Sequence, residues 1–113
     1  MADCLFCDMA QGRVPVDKLY EDALVFAIRD INPRAPTHFM VIPKEHVATA
    51  MDVRGEHGPL LARMIATAVQ VAREEKLADS GYRLAFNVGR DAGMTVYHLH
   101  LHCLGGRPLG PEG

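Results

Sequence analysis

The sequence predicts an α+β fold: an antiparallel β-sheet of about five strands, one long helix over one of its faces, and a short N-terminal helix. Apolar or alternating segments that short loops connect predict the strands, because antiparallel neighbours need only a short connection. The long helix is predicted from about Gly58 to Leu77, where apolar residues recur at three- and four-residue spacing. The predicted order is the short helix, three strands, the long helix and two strands.

Proline and glycine delimit the elements before the long helix. Gly12 ends the short helix, and Pro33 and Pro36 force a loop between the second and third strands. Pro43 stops the third strand. In chain order, these elements are a short helix in CLFCDMAQGR, an extended segment KLYED, a strongly apolar strand ALVFAIRD and a strand HFMVIPKE.

Two further strands are predicted after the long helix. In GYRLAFNVG, Tyr82 and the apolar residues at every second position after it share one face. The last strand, VYHLHLHCLGG, covers residues 96–106 and ends at Gly105 and Gly106. A chain of this length has room for one core, so residues 1–113 are predicted to form a single domain.

His98, His100 and His102 occupy alternate positions in the last predicted strand. Side chains alternate between the two faces of a strand, so the three imidazoles are expected on one face, about 6.6 Å apart along the strand. The residues expected to point the opposite way into a core are Tyr97, Leu99, Leu101 and Cys103. A half-buried strand with one polar face explains a single histidine, but three in strict alternation favour a row of titratable groups on the wall of a site.

Composition limits the classes of protein that fit. Twelve Lys and Arg residues against fourteen Asp and Glu residues give a formal net charge of −2, which argues against binding of nucleic acid by overall charge. No apolar run approaches the roughly 20 residues of a membrane span, and the N-terminus lacks the features of a signal peptide. Three cysteines without such a signal argue against a disulfide framework. We therefore expect a cytoplasmic protein that binds neither nucleic acid nor membrane and can take a small anionic ligand.

The loop NVGRDAGMTV, residues 87–96, leads into the histidine strand and contains Gly89, Gly93, the Thr95 hydroxyl and, at its start, Asn87. Glycines let backbone N–H groups turn toward an anion, so such a loop can cradle a phosphate. The same composition also suits a simple hairpin loop. Next to a neutral imidazole, a phosphate held by backbone amides is in the arrangement that histidine needs to attack phosphorus.

Several stretches of this sequence together resemble the histidine triad superfamily. HLHLHCL follows the pattern His-φ-His-φ-His-φ-φ, in which φ is apolar, and the likeness extends to CLFC, to RDINPRAPTHFMVIPKEH and to FNVGRDAGMTVYHLHLHCLGGRPLGPEG. The two glycines after the histidines are similar to those of the histidine triad nucleotide-binding proteins, the purine nucleoside phosphoramidases. The resemblance implies an enzyme that cleaves the phosphorus–nitrogen bond of AMP or GMP phosphoramidates through a nucleotidyl-histidine.

The same resemblance implies roles for individual residues. His100 would be the nucleophile, with its second ring nitrogen held by a backbone carbonyl, and His102 would bind the phosphate and pass a proton to the leaving amine. His38 would lie close to the triad, and Asp30 would bind the ribose hydroxyls. The remaining matches are Asn87, the Gly93 backbone and Thr95 around the phosphate, and Phe6, Met9, Val14, Ile28, Ile31 and Met40 around the purine. The alternative for the apolar positions is ordinary core.

The pair Cys4 and Cys7 is a candidate half of a zinc site that needs two more ligands. Alternation places Cys103 on the core face, so His46 and His98 are the available nitrogens. Some bacterial members of the family that this sequence resembles have such a Cys, Cys, His, His arrangement, whereas other relatives lack the cysteines. The alternatives are therefore a structural zinc with no catalytic part, or two small buried cysteines on a short helix.

The long helix also carries small or apolar residues beside its main stripe, including Ala62, Ala66 and Val71. A small sheet protein otherwise exposes its edge strands. Together with the family resemblance, this predicts a two-fold homodimer with the helix and a sheet edge in the interface.

Other functions fit parts of the pattern. A diadenosine polyphosphate hydrolase, a nucleotidyl transferase or a nucleotide-binding regulator with vestigial activity would use the same pocket. A metalloprotein of another kind could chelate its metal through His98 and His100, but the further ligands that a cupin-like site needs are missing from the sequence.

Overall fold

The computed structural model describes residues 4–112 and confirms the predicted α+β class and order of elements. The elements are α1 Leu5–Ala10, β1 Tyr20–Glu21, β2 Val25–Arg29, β3 Thr37–Pro43, α2 Gly58–Glu74, β4 Tyr82–Ala85 and β5 Leu101–Gly105, with short 3₁₀ turns at Ala50–Asp52, Gly55–His57 and Arg90–Ala92.

All strand pairs of the sheet are antiparallel, in the order β1-β2-β3-β5-β4. The register aligns Met40 of β3 with Ile28 of β2 on one side and with His102 of β5 on the other. One row therefore runs across the three central strands and brings the last triad histidine beside two apolar residues from distant parts of the chain.

The two faces of the sheet have different partners. One face packs against α2 in a core that contains Val25, Ala27, Phe39, Val41, Leu101 and Cys103 from the strands and Met64, Ala68, Val71 and Ala72 from the helix. The opposite face packs against the N-terminal segment in a smaller cluster that contains Cys4, Phe6, Phe26, Ile28, Met40 and Ile42. Alternation along each central strand therefore supplies one side chain to the main core and the next to the face beside α1.

Helix α2 begins with Gly58 and Pro59, where proline is favourable because the first N–H groups of a helix have no partner within it. It ends three residues before the predicted Leu77, because Lys76 adopts a left-handed conformation with φ of 66°. The Leu77 N–H then bonds to the Ala72 carbonyl at 2.9 Å, and the Leu77 side chain is buried. This is a Schellman arrangement with its usual apolar contact. Among the helices of residues 4–112, none has the length and apolarity that a membrane span requires.

The last strand is shorter than predicted. Its ladder begins at Leu101, whereas residues 96–100 run beside the segment that follows β3. The Leu99 N–H bonds there to the Val47 carbonyl at 2.6 Å. Tyr97 was expected in the core, but 48% of its surface is exposed, because the regular strand that would have turned it inward has not yet begun.

A tight turn follows β5. Gly106 has φ of +98°, and a Cβ atom built on it would lie 2.9 Å from Cβ of Pro36. Both the backbone conformation and the neighbouring proline ring therefore require glycine at this position.

We expect Gly106→Ala to lower the free energy of unfolding by roughly 2 kcal/mol, from backbone strain and the clash with Pro36. Gly110→Ala is the matched control, because an added Cβ there meets no atom within 4 Å. Urea unfolding of the two variants and the parent protein measures the difference, and equal stabilities of both variants would contradict this reading of the turn.

Candidate active site

The structure brings His98, His100 and His102 onto the sheet face beside α1, although the first two precede the regular strand. The Phe6 ring stands edge-on to His98 and His100, with centroids 5.9 Å and 5.2 Å away. The rings of His100 and His102 are 4.9 Å apart, closer than the spacing along an ideal strand. Leu99, between the histidines, belongs to the main core. The three imidazoles therefore form one wall, which α1 partly covers.

His100 is held as a defined tautomer. Its Nδ1 lies 2.7 Å from the backbone carbonyl oxygen of His98, which can only accept, so Nδ1 carries the proton. Burial is the main cause that lowers the pKa of His100, although the bond to His98 opposes it. The ring is consequently neutral at pH 7 and its Nε2 has a free lone pair.

Asp30 directly after β2, His38 in β3 and His102 in β5 lie side by side. Nε2 of His38 is 2.9 Å from Nδ1 of His102, and Oδ2 of Asp30 is 3.4 Å from the former and 3.8 Å from the latter. Oδ1 of Asp30 accepts the Asn32 N–H at 2.8 Å. Desolvation, followed by the charges of His100 and His38, lowers the pKa of His102 to about 4. His102 is therefore neutral at pH 7.

The expected apolar slot is brought together in part. Phe6, Ile28 and Met40 are buried in the cluster beside α1, and Met9 packs against it. Val14 is not a member of this cluster, and Ile31 is 90% exposed at the rim beside Asp30. Sequence reasoning missed Val16 and Val96, which pack against the cluster from segments without regular structure and therefore without a periodic signal.

The glycine loop differs from the expected phosphate cradle. Gly89 and Gly93 have φ of 81° and 83° around the turn Arg90–Ala92. The Gly93 N–H already bonds to the Arg90 carbonyl at 2.9 Å, so this structure does not present that amide to a phosphate. Thr95 is exposed and Asn87 is half-buried at the base of the loop.

Four sulfur and nitrogen donors converge at the other end of the histidine wall. Sγ of Cys4 lies 3.5 Å from Nδ1 of His46 and 3.3 Å from Nδ1 of His98, the corresponding distances for Cys7 are 3.3 Å and 3.5 Å, and the two Nδ1 atoms are 3.1 Å apart. A tetrahedral zinc ion separates its sulfur and nitrogen ligands by about 3.5 to 3.6 Å and its two nitrogens by about 3.3 to 3.4 Å. The predicted residues thus have the donor types and spacing of a zinc site.

Neighbouring backbone groups orient these donors. Nε2 of His98 donates to the Pro43 carbonyl at 2.7 Å, so Nδ1 points into the cluster with its lone pair. Cys4 is the N-cap of α1, and its Sγ accepts the Cys7 N–H at 3.2 Å. Cys103 is buried in the core on the α2 side, where burial raises the pKa of its thiol to about 12. The carbonyl of Pro43 was not recognised from the sequence, where proline signalled only the end of a strand.

Known protein families and known proteins include relatives of this chain. Residues 3–109 match the protein family described as "Scavenger mRNA decapping enzyme C-term binding". The chain is 47% identical over 109 residues to the "Purine nucleoside phosphoramidase" of Escherichia coli (strain K12), covering 96% of this chain and 92% of that protein.

Solved structures show the same relationship. The "HIT family hydrolase from Legionella pneumophila Philadelphia 1" is 48% identical and superposes with a TM-score of 0.95, covering 98% of this chain and all of that one. A "ZN-bound histidine triad family protein from Mycobacterium smegmatis" is 34% identical with a TM-score of 0.79, covering 93% of this chain and 76% of that one. The predicted resemblance is confirmed: this chain belongs to the histidine triad (HIT) family and is a hydrolase of the histidine triad type.

Proposed function

We propose that this enzyme hydrolyses the phosphorus–nitrogen bond of purine nucleoside 5′-phosphoramidates through a nucleotidyl-histidine on His100. The observation that carries this proposal is the buried, neutral His100, whose Nδ1 proton is bound by the His98 carbonyl. A neutral imidazole with a free Nε2 is a nucleophile at pH 7 and a good leaving group in a second step. The name of the Escherichia coli relative supports the same bond and substrate class.

The proposed reaction has two steps. In the first, the Nε2 lone pair of His100 forms a bond to the α-phosphorus, the P–N bond breaks, and the leaving nitrogen takes up one proton from solvent as the amine departs. In the second, water attacks phosphorus, the bond to Nε2 breaks with its electron pair returning to the ring, and one proton returns to solvent. The His98 carbonyl stabilises the positive charge that the ring carries between the steps.

Other residues would bind the nucleotide. His102, neutral beside the nucleophile, would donate a hydrogen bond to the phosphate, and the Asp30 carboxylate would bind the ribose hydroxyls. Asn87 and the Thr95 hydroxyl would contact the phosphate oxygens. The apolar cluster that contains Phe6 would support the purine. The net charge of −2 favours a small nucleotide over a nucleic acid.

Replacing His100 with asparagine tests the nucleophile. We expect turnover of an AMP phosphoramidate, measured as AMP release, to fall below about 1% of the parent rate, and AMP affinity to stay within about tenfold. His57→Asn is the control: Nδ1 of His57 accepts the Arg54 N–H at 2.8 Å, a bond that an asparagine oxygen can also accept. If the His100 variant keeps several per cent of the rate, another residue is the nucleophile.

The other candidate functions can be distinguished by measuring which substrate the parent enzyme turns over in the same assay. Turnover of diadenosine polyphosphate in preference to the phosphoramidate would place it in the hydrolase branch that acts on dinucleotides. Tight AMP binding without turnover of either substrate would identify a nucleotide-binding regulator.

Cys4, Cys7, His46 and His98 are proposed to hold one structural zinc ion. Their spacing supports this assignment, and so does the His98 ring, whose lone pair the Pro43 carbonyl turns toward the other donors. Four protein ligands complete a tetrahedral shell, so the ion would stabilise the fold and leave the phosphorus chemistry to His100. Ligation of zinc requires these cysteines to stay reduced, so we propose a reducing, cytoplasmic location.

We expect Cys4→Ser to lower zinc content from about one ion per chain and to lower the melting temperature by on the order of 5–10 °C. Elemental analysis of protein purified without chelator and a thermal melt measure both effects. Cys103→Ala is the matched control, since it removes a buried thiol outside the cluster and should leave zinc content unchanged. A parent protein without zinc would refute the site.

The enzyme is proposed to act as a two-fold homodimer through α2 and the outer edge of β4. Strand β4 is an edge strand of the sheet, and Ala62, Ile65 and Ala66 lie exposed on α2. Val71, which was predicted beside them, is instead buried in the main core. Ile65 is 46% exposed, and together with Ala62 and Ala66 it gives α2 a group of exposed apolar residues that a partner would cover.

Sedimentation at micromolar concentration should give about twice the mass of the 12.4 kDa chain. Ile65→Glu should weaken the dimer at least about tenfold while leaving the circular dichroism spectrum unchanged. A single 12.4 kDa species for the parent protein would refute the assembly.

A further inference from the structure

Asp30, His38 and His102 form a compact polar cluster beside the nucleophile. Asp30 follows β2 directly, and its N–H bonds to the His38 carbonyl at 2.9 Å. His38 and His102 are diagonal neighbours on β3 and β5, with ring centroids 5.1 Å apart. The side chains of His38, His102 and Asp30 are 4%, 13% and 17% exposed, so the cluster is largely shielded from bulk water.

A backbone N–H determines the tautomer of His38, and His38 in turn determines the tautomer of His102. The Arg34 N–H lies 3.1 Å from Nδ1 of His38 and can only donate, so a neutral His38 carries its proton on Nε2. That Nε2–H faces Nδ1 of His102 at 2.9 Å, and Nδ1 must therefore be the acceptor. A neutral His102 then carries its single proton on Nε2.

The same three residues also have donor types suited to a divalent metal, with ligand atoms within 4.8 Å of one another. A metal would need a lone pair on the nitrogen of His38 that faces His102, but the bond from Arg34 places the proton there. The cluster of Cys4, Cys7, His46 and His98 differs in this respect. The Pro43 carbonyl accepts the His98 proton on Nε2, which leaves the Nδ1 lone pair facing the cysteines. The backbone group bonded to each histidine thus decides whether the ring nitrogen that faces the cluster carries a proton or a lone pair for a metal.

We propose that His38 is a positioning residue that holds His102 as a neutral imidazole with its proton on Nε2, so that this N–H is available to the substrate phosphate. Oδ2 of Asp30 lies 3.4 Å from the same nitrogen of His38 and places a negative charge beside the donated proton. The inference rests on the proposed phosphoramidase function and specifies which atom of His102 acts in it.

The charges around His102 agree with a neutral donor. Burial is the largest cause of its lowered pKa, His100, His38 and Arg34 lower the pKa further, and Asp30 alone opposes them. Protonation would also place a second N–H on Nδ1, directly against the N–H of His38. The positioning bond and the positive charge are therefore mutually exclusive.

Nitrogen-15 NMR of histidine-labelled, full-length protein tests the tautomer without substrate, using His102→Asn to assign the signals. At pH 7 we expect a protonated Nε2 and an unprotonated Nδ1 for His102, and an unprotonated Nδ1 for His38. A His102 proton on Nδ1, or a doubly protonated ring, overturns the proposal. Because this readout needs no turnover, it is independent of whether the enzyme cleaves phosphoramidates.

Two variants of His38 connect the tautomer to catalysis. Glutamine can place an amide N–H near the position of Nε2, whereas leucine has similar bulk and no donor. We expect His38→Leu to reduce kcat roughly 10- to 100-fold with little change in KM and to give mixed His102 tautomers, and His38→Gln to recover most of kcat. Equal kcat losses in both variants, with the His102 tautomer unchanged in each, would show a merely structural role and overturn the proposal.

Discussion

His98 is the residue on which the rest of the site depends, because its backbone and its ring serve two different centres. Its carbonyl accepts the Nδ1–H of His100, and its ring donates to the Pro43 carbonyl while turning Nδ1 toward the two cysteines. The backbone geometry that orients the nucleophile is therefore the geometry that orients a donor of the cysteine cluster. Anything that rotates this residue disturbs the cluster of Cys4, Cys7, His46 and His98 and the tautomer of His100 together.

The fold and most of the site were predictable because they follow from local periodicity. Alternation placed the three histidines on one face and Leu99 on the other, and the spacing of two cysteines marked one half of the four-donor cluster. Such patterns are encoded by side-chain type at fixed separation, which a single sequence displays directly.

Features that depend on irregular backbone were not predictable in the same way. Tyr97 is exposed because it precedes the regular strand, which begins at Leu101. The Gly93 N–H bonds to the Arg90 carbonyl within its own turn. The N–H of Arg34 and the carbonyl of Pro43 determine the tautomers of His38 and His98. Almost every residue has such backbone groups, so residue type does not reveal which of them will contact a histidine. These contacts arise only when distant loops meet, so no local sequence pattern encodes them.

The alternation of residues 98–103 between two faces has a consequence for how this segment can change over time. Substitutions at a single position alter one face only, but inserting or deleting one residue between His98 and Cys103 would exchange imidazoles for leucines on both faces at once. The candidate active site and the hydrophobic core would then be disrupted together. The length of this segment is thus fixed far more strictly than its composition.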